Sequence, residues 1–213
     1  MLKYIIICLA LVILYGCKDD NPITIIKPGV PPTYDTVEIG SYFPAYPNSY
    51  WMYQDLDGDT IVHKTDSAYF LFSNYNPINN PYDTTKYYAP LYDGMIVKKY
   101  SLYVGSSSYH ESGWKTILPD SIYIGNMFTE QYIWSSTYYS GKITAIDTAM
   151  EISSVHYDSV LVVLEYIGPY VGTFTYGRTY YAKNIGIIKT EYWGINGDSI
   201  TSEVVLIDYH IER

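Results

Sequence analysis

Cysteine is almost absent from this chain: its 213 residues hold only Cys8 and Cys17. Cys8 lies inside the apolar run Tyr4 to Tyr15, so a chain that loses that run cannot close an internal disulfide and must be held by its own core. Long apolar runs are missing too. A membrane-crossing helix needs about 20 apolar residues, and this one stops at Gly16-Cys17-Lys18-Asp19-Asp20. Positive charge is scarce, with 13 Lys and Arg against 22 Asp and Glu and a net charge of −9. That balance excludes nucleic acid as a partner and adhesion to anionic lipid through a basic patch. The chain also has no Gly-x-Ser-x-Gly elbow, phosphate loop or dinucleotide fingerprint. It is therefore not read as an enzyme, and no cofactor is expected.

The first residues carry an address. Lys3 followed by the short apolar run and a small residue reads as a signal peptide over 1–16. Leu14-Tyr15-Gly16-Cys17 resembles the lipobox of bacterial lipoproteins, with Tyr15 in place of the usual small residue. The resemblance implies that diacylglycerol alkylates the Cys17 sulfur before cleavage and that the new amino terminus is then acylated. Several acyl chains make such an anchor stable, since each buried methylene contributes about 0.8 kcal/mol. Lys18-Asp19-Asp20-Asn21-Pro22 resembles the export signal of Bacteroidota lipoproteins, which implies an outer-membrane lipoprotein, conceivably on the cell surface. Residues 17–36 are expected to form the lipidated start and a flexible linker, because Pro28, Gly29, Pro31 and Pro32 favour extended chain.

From residue 37 to 213 the pattern predicts one β-rich domain. Runs of Tyr, Ile, Val and Thr alternate and break every eight to twelve residues at Gly, Asn, Asp or Pro. Asp57-Gly58 and Asn196-Gly197 read as hairpin turns, because both dipeptides tolerate positive φ. Further strands are expected over 67–72, 96–104, 143–152, 159–167 and 173–182, with residues 73–94 as a Pro/Asn/Asp/Tyr-rich loop. The fold class is mainly β: a single antiparallel, strongly curved sheet, as a half-barrel, barrel or sandwich.

Tyr42-Phe43-Pro44 with Asn48-Ser49-Tyr50-Trp51-Met52-Tyr53 resembles the opening of an uncharacterised family of Bacteroidota lipoproteins. Tyr157 to Val163 and Tyr180 to Glu191 resemble the same family's second signature. Pro47 and Asn184-Ile185 depart from the pattern, where glycine and a Gly-Val pair are usual. What the resemblance implies is a curved antiparallel sheet similar to lipoprotein-carrier half-barrels, with no established activity. Physically the motifs read as structure, with Trp51 filling a core and Gly186 bending a strand.

Candidate chemistry is thin. Asp55, Asp57 and Asp59, with Asp66 at the twelfth position, partly match a calcium loop. The glycine is displaced, since Thr60 stands sixth, and the segment also makes a good hairpin turn, so no metal is assigned. His63, His110, His156 and His210 lack neighbours at metal-ligand spacing, and His110-Glu111 lacks the second histidine of a zincin helix. The 28 tyrosines remain. At Tyr87-Tyr88, Tyr138-Tyr139 and Tyr180-Tyr181, adjacent rings must point to opposite sheet faces. Exposed tyrosines suit a glycan or protein partner, but tyrosine also simply suits β-structure. Three roles stay open: a tethered ligand-binding or interaction module, a carrier of a lipid-like ligand, and a hydrolase with an unrecognised site.

Overall fold

Alternation of large apolar and polar side chains drives the chain into strands, and in the computed structural model these join one antiparallel sheet. The structure describes residues 25–26, 36, 39–73, 86–98, 101–103, 114–116, 118–119, 121–131, 138–168, 174–193 and 199–213. Cys17, the signal peptide, His110 and Glu111 lie outside them. The strands are β1 (Ile25–Ile26), β2 (Tyr50–Asp55), β3 (Thr60–Ser73), β4 (Lys86–Tyr92), β5 (Met95–Lys98), β6 (Ser101–Tyr103) and β7 (Trp114–Thr116). They continue as β8 (Met127–Gln131), β9 (Tyr138–Ile152), β10 (Val155–Gly168), β11 (Phe174–Ala182), β12 (Gly186–Trp193) and β13 (Ile200–His210). No helix occurs among the described residues.

The order across the sheet is β7-β6-β5-β4-β3-β2-β13-β12-β11-β10-β9-β8. Every neighbour is thus sequential except β2 and β13, where the two ends of the domain meet. The arrangement is a meander ring opened between β7 and β8. Their backbones approach within 8 Å but share no ladder among the described residues. The sheet is curled and not closed.

One face holds the core. In β2, Trp51 and Tyr53 point inward; in β12, Ile188 does. Tyr181, Ile143, Leu161 and Val163 join them, each at most 2% exposed. Burial holds the Tyr53, Tyr139 and Tyr181 hydroxyls well above the usual tyrosine range. The carrier reading needs an apolar hollow on this face, where the described buried side chains form one core cluster.

Residues 42–53 form an aromatic plug within the core. Phe43 stacks on Trp51 with ring centroids 6.1 Å apart, and Tyr92 packs edge-on against both. The indole Nε1 of Trp51 donates to the Ile185 carbonyl at 2.5 Å, and the Asn184 amide donates to the Ser41 carbonyl at 2.6 Å. Gly186 has φ +108°, and a Cβ there would stand 3.0 Å from the Trp51 Nε1. The two family-like segments therefore meet, and glycine is required where they touch.

The first expected hairpin forms, and the strands flanking the second are paired, while its turn Asn196-Gly197 lies outside the described residues. Asp57-Gly58 joins β2 to β3 with Gly58 at φ +87°, and β12 pairs with β13. The expected strands over 143–152 and 159–167 fall within β9 and β10, that over 173–182 matches β11 from Phe174 on, and 67–72 lies within the longer β3. The strand expected over 96–104 is instead two, β5 and β6, paired to each other. The loop expected over 73–94 is overturned in its second half, where β4 pairs along β3 and turns through Asp93-Gly94 into β5. There the strand preference of Tyr87-Tyr88 outweighs the loop-like Pro90, which is buried opposite Tyr69. Within the expected linker, Ile25–Ile26 pairs with β3, and Thr36 bridges Tyr88.

Candidate functional site

Strands β11 and β12 form a hairpin whose outward positions carry charge. Tyr180 stands opposite Lys189 and Arg178 opposite Glu191. Thr179 and Tyr181 point the other way and are buried. On the next strands Val162 faces Tyr180 and Glu203 faces Glu191, so one outward row runs from β10 to β13.

The β9–β10 hairpin bends towards this row. Three register shifts interrupt its ladder, and Asp147 has φ +49°. Such bulges kink a strand pair. As a result Met150, Ile152 and Ser153 of the hairpin tip border the same groove as Val162, Tyr180 and Lys189. The groove is about 540 Å³, within the range of small-molecule sites.

Arg178, Tyr180 and Lys189 of its lining belong to a connected polar set that continues along the sheet beyond the groove. Lys189 Nζ lies 2.9 Å from Glu191 Oε1 and 2.9 Å from Glu203 Oε2. The Tyr180 hydroxyl donates to Glu191 Oε2 at 3.2 Å and accepts from Arg178 Nη1 at 3.2 Å. Arg178 Cζ sits 5.2 Å from the centroid of Trp193, a cation–π arrangement. Although Arg178 faces Glu191 in register, no carboxylate pairs with its guanidinium among the described residues. Burial alone would lower the Lys189 pKa, but its hydrogen bonds to Glu191 and Glu203 outweigh that and raise it, keeping the cation charged. Burial raises Tyr180, which stays a neutral phenol able both to donate and to accept.

The residues singled out in the sequence lie elsewhere. Asp55 Oδ1 accepts from the amides of Asp57 at 3.0 Å and Asp59 at 2.8 Å, so it serves the hairpin turn. Asp66 is carried away along β3, roughly 20 Å of extended chain from that turn. Among the described residues, no three His, Cys, Asp or Glu side chains group as metal ligands. His63 hydrogen-bonds Asp93 and stacks on Tyr92, a pairing across 30 residues that spacing does not reveal. His156 pairs with Asp158 and His210 with Glu212, both locally. Of the tyrosine pairs, Tyr180 faces out and Tyr181 in, as alternation requires; Tyr88 and Tyr139 are buried.

The Arg178–Lys189 network escaped sequence reasoning. Its signal is polar residues at alternate positions on both arms of one hairpin, and it becomes visible only once the register about Asn184 is known.

No family model matches the chain, and no curated protein sequence does. Two solved structures are similar to it. One is a candidate lipoprotein from Parabacteroides distasonis, with 13% identity and a TM-score of 0.37, covering 81% of this chain and 100% of that one. The other is a candidate exported protein with a YmcC-like fold from Bacteroides fragilis, with 13% identity and a TM-score of 0.39, covering 80% and 99%.

Proposed function

We propose that this chain is an exported lipoprotein, anchored to the outer membrane through Cys17, whose β-domain binds a saccharide in the Arg178–Tyr180 groove. The anchor rests on the lipobox-like Leu14-Tyr15-Gly16-Cys17. The ligand class rests on one observation: the groove lining sets the donors Arg178 and Lys189 and the acceptor Glu151 beside the phenol ring of Tyr180. A sugar offers vicinal hydroxyls that both donate and accept, plus a C–H face that packs on a ring. Arg178 has guanidinium N–H groups to spare, because the bonds described for it use only Nη1 and the ring face. Glu191 and Glu203 are held by Lys189, which suits binding rather than proton transfer.

Two measurements test this reading. Cys17→Ser is expected to abolish incorporation of labelled palmitate and to release the protein from the membrane fraction; continued labelling defeats the anchor. The detergent-solubilised lipidated chain is expected to give saturable signals on a glycan array. Arg178→Ala should weaken them at least tenfold, the loss of about 1.4 kcal/mol of charge-assisted hydrogen bonding, with the melting temperature nearly unchanged. A blank array, with capture of one protein partner through the same groove, would replace the saccharide by a protein ligand.

A further inference from the structure

On the opposite, inner face of the same strands lies a group that the groove does not use. Glu165 of β10 is 4% exposed. Its Oε1 accepts from the Thr179 hydroxyl at 2.5 Å, and that hydroxyl lies 3.4 Å from the Thr190 hydroxyl. Its Oε2 is buried and has no hydrogen-bond partner among the described residues, the one such side-chain atom found there. The described ion pairs all lie elsewhere, Lys189 with its glutamates on the outer face among them.

The sequence around Glu165 has been cleared of side chains. Its register partners are Gly141 on β9 and Gly177 on β11. Aromatic rings occupy the two vacancies: Phe128 lies over Gly141, and Tyr192 Cδ1 lies 3.0 Å from where a Gly177 Cβ would stand. The Tyr139 hydroxyl lies near the carboxylate, and the charge on Glu165 adds to burial in raising Tyr139, Tyr181 and Tyr192, the last to about 12. The carboxylate thus sits among hydroxyl oxygens, and a ring packs on each of its two register partners.

An isolated buried carboxylate costs several kcal/mol unless a counter-charge meets it. We propose that Glu165 Oε2 is the anchor of an interior site for one small monovalent cation, completed by the hydroxyl oxygens of Thr179, Thr190 and Tyr139. One carboxylate matches one positive charge, which disfavours a divalent ion. An all-oxygen donor set selects a hard ion or an ammonium group. An alkali ion and ammonium share this chemistry, and the experiment separates them.

The full-length lipidated chain in neutral detergent is melted in rising KCl, NaCl, NH4Cl or methylammonium chloride, with tetramethylammonium chloride holding ionic strength constant. A saturable rise of several degrees with at least one of these ions, absent in Glu165→Gln, is expected; the salt that acts at lowest concentration identifies the ion. Equal responses of both proteins, or no response to any ion, would overturn the site and leave the carboxylate to a proton or a water. Should Glu165→Gln fail to fold, 15N-ammonium NMR of the wild-type protein decides instead. A bound signal that K+ displaces supports the site, and its absence, with no melting response to the alkali ions, removes it. Neither result depends on whether the outer groove binds sugar.

Discussion

Trp51→Ala is expected to lower the unfolding free energy by about 3–5 kcal/mol, read as a shift in the urea midpoint at unchanged slope. Trp51 is 1% exposed and packs on Phe43 and Tyr92, so truncation leaves a cavity in the middle of the plug. It also strands the Ile185 carbonyl, whose partner is the indole N–H. Trp51→Phe separates these causes. It retains a ring against Phe43 but not the donor, and its cost should approach about 1–3 kcal/mol, the penalty of an unpaired buried acceptor. A cost below about 1 kcal/mol for Trp51→Ala would mean that the plug contributes little to the core.

Gly141→Ala carries the second large effect, through overpacking. An alanine Cβ would fall 2.2 Å from Cζ of Phe128, so the ring has to leave its seat against the β9 backbone. Overpacking of this kind costs about 1–3 kcal/mol. The ring is the obstacle, so Phe128→Ala should relieve it. The double variant is expected to be more stable than the sum of the two single losses predicts, whereas strict additivity would place the strain in the backbone. Unfolding monitored by circular dichroism in urea gives all three values.

The sheet was legible because its period is local. Trp51 and Tyr53 two residues apart, with Asp57-Gly58 beyond them, suffice to place a hairpin. The β9–β10 hairpin turns instead at Ser153-Ser154, both at positive φ (51° and 65°), in a pair that carries no such signal. Strand β4 was hidden because Pro90 normally marks a loop. The motif residues Trp51 and Gly186 could each be given a structural role, yet their contact spans 134 residues and follows only from the fold. The same holds for the groove, whose side chains meet through register and bulges rather than through spacing. Glu165 looks like an ordinary strand residue until its neighbours Gly141 and Gly177 are aligned with it.

The pairing of β2 with β13 has a kinetic corollary. Tyr50 and His210 are register partners although nearly the whole domain separates them. A chain emerging amino end first therefore cannot assemble the middle of its sheet until β13 arrives. Until then the Trp51 segment waits with one edge unpaired. Such long-range pairing makes folding slow and late. The topology itself therefore leaves β2 and β12 each with an open edge until β13 is in place.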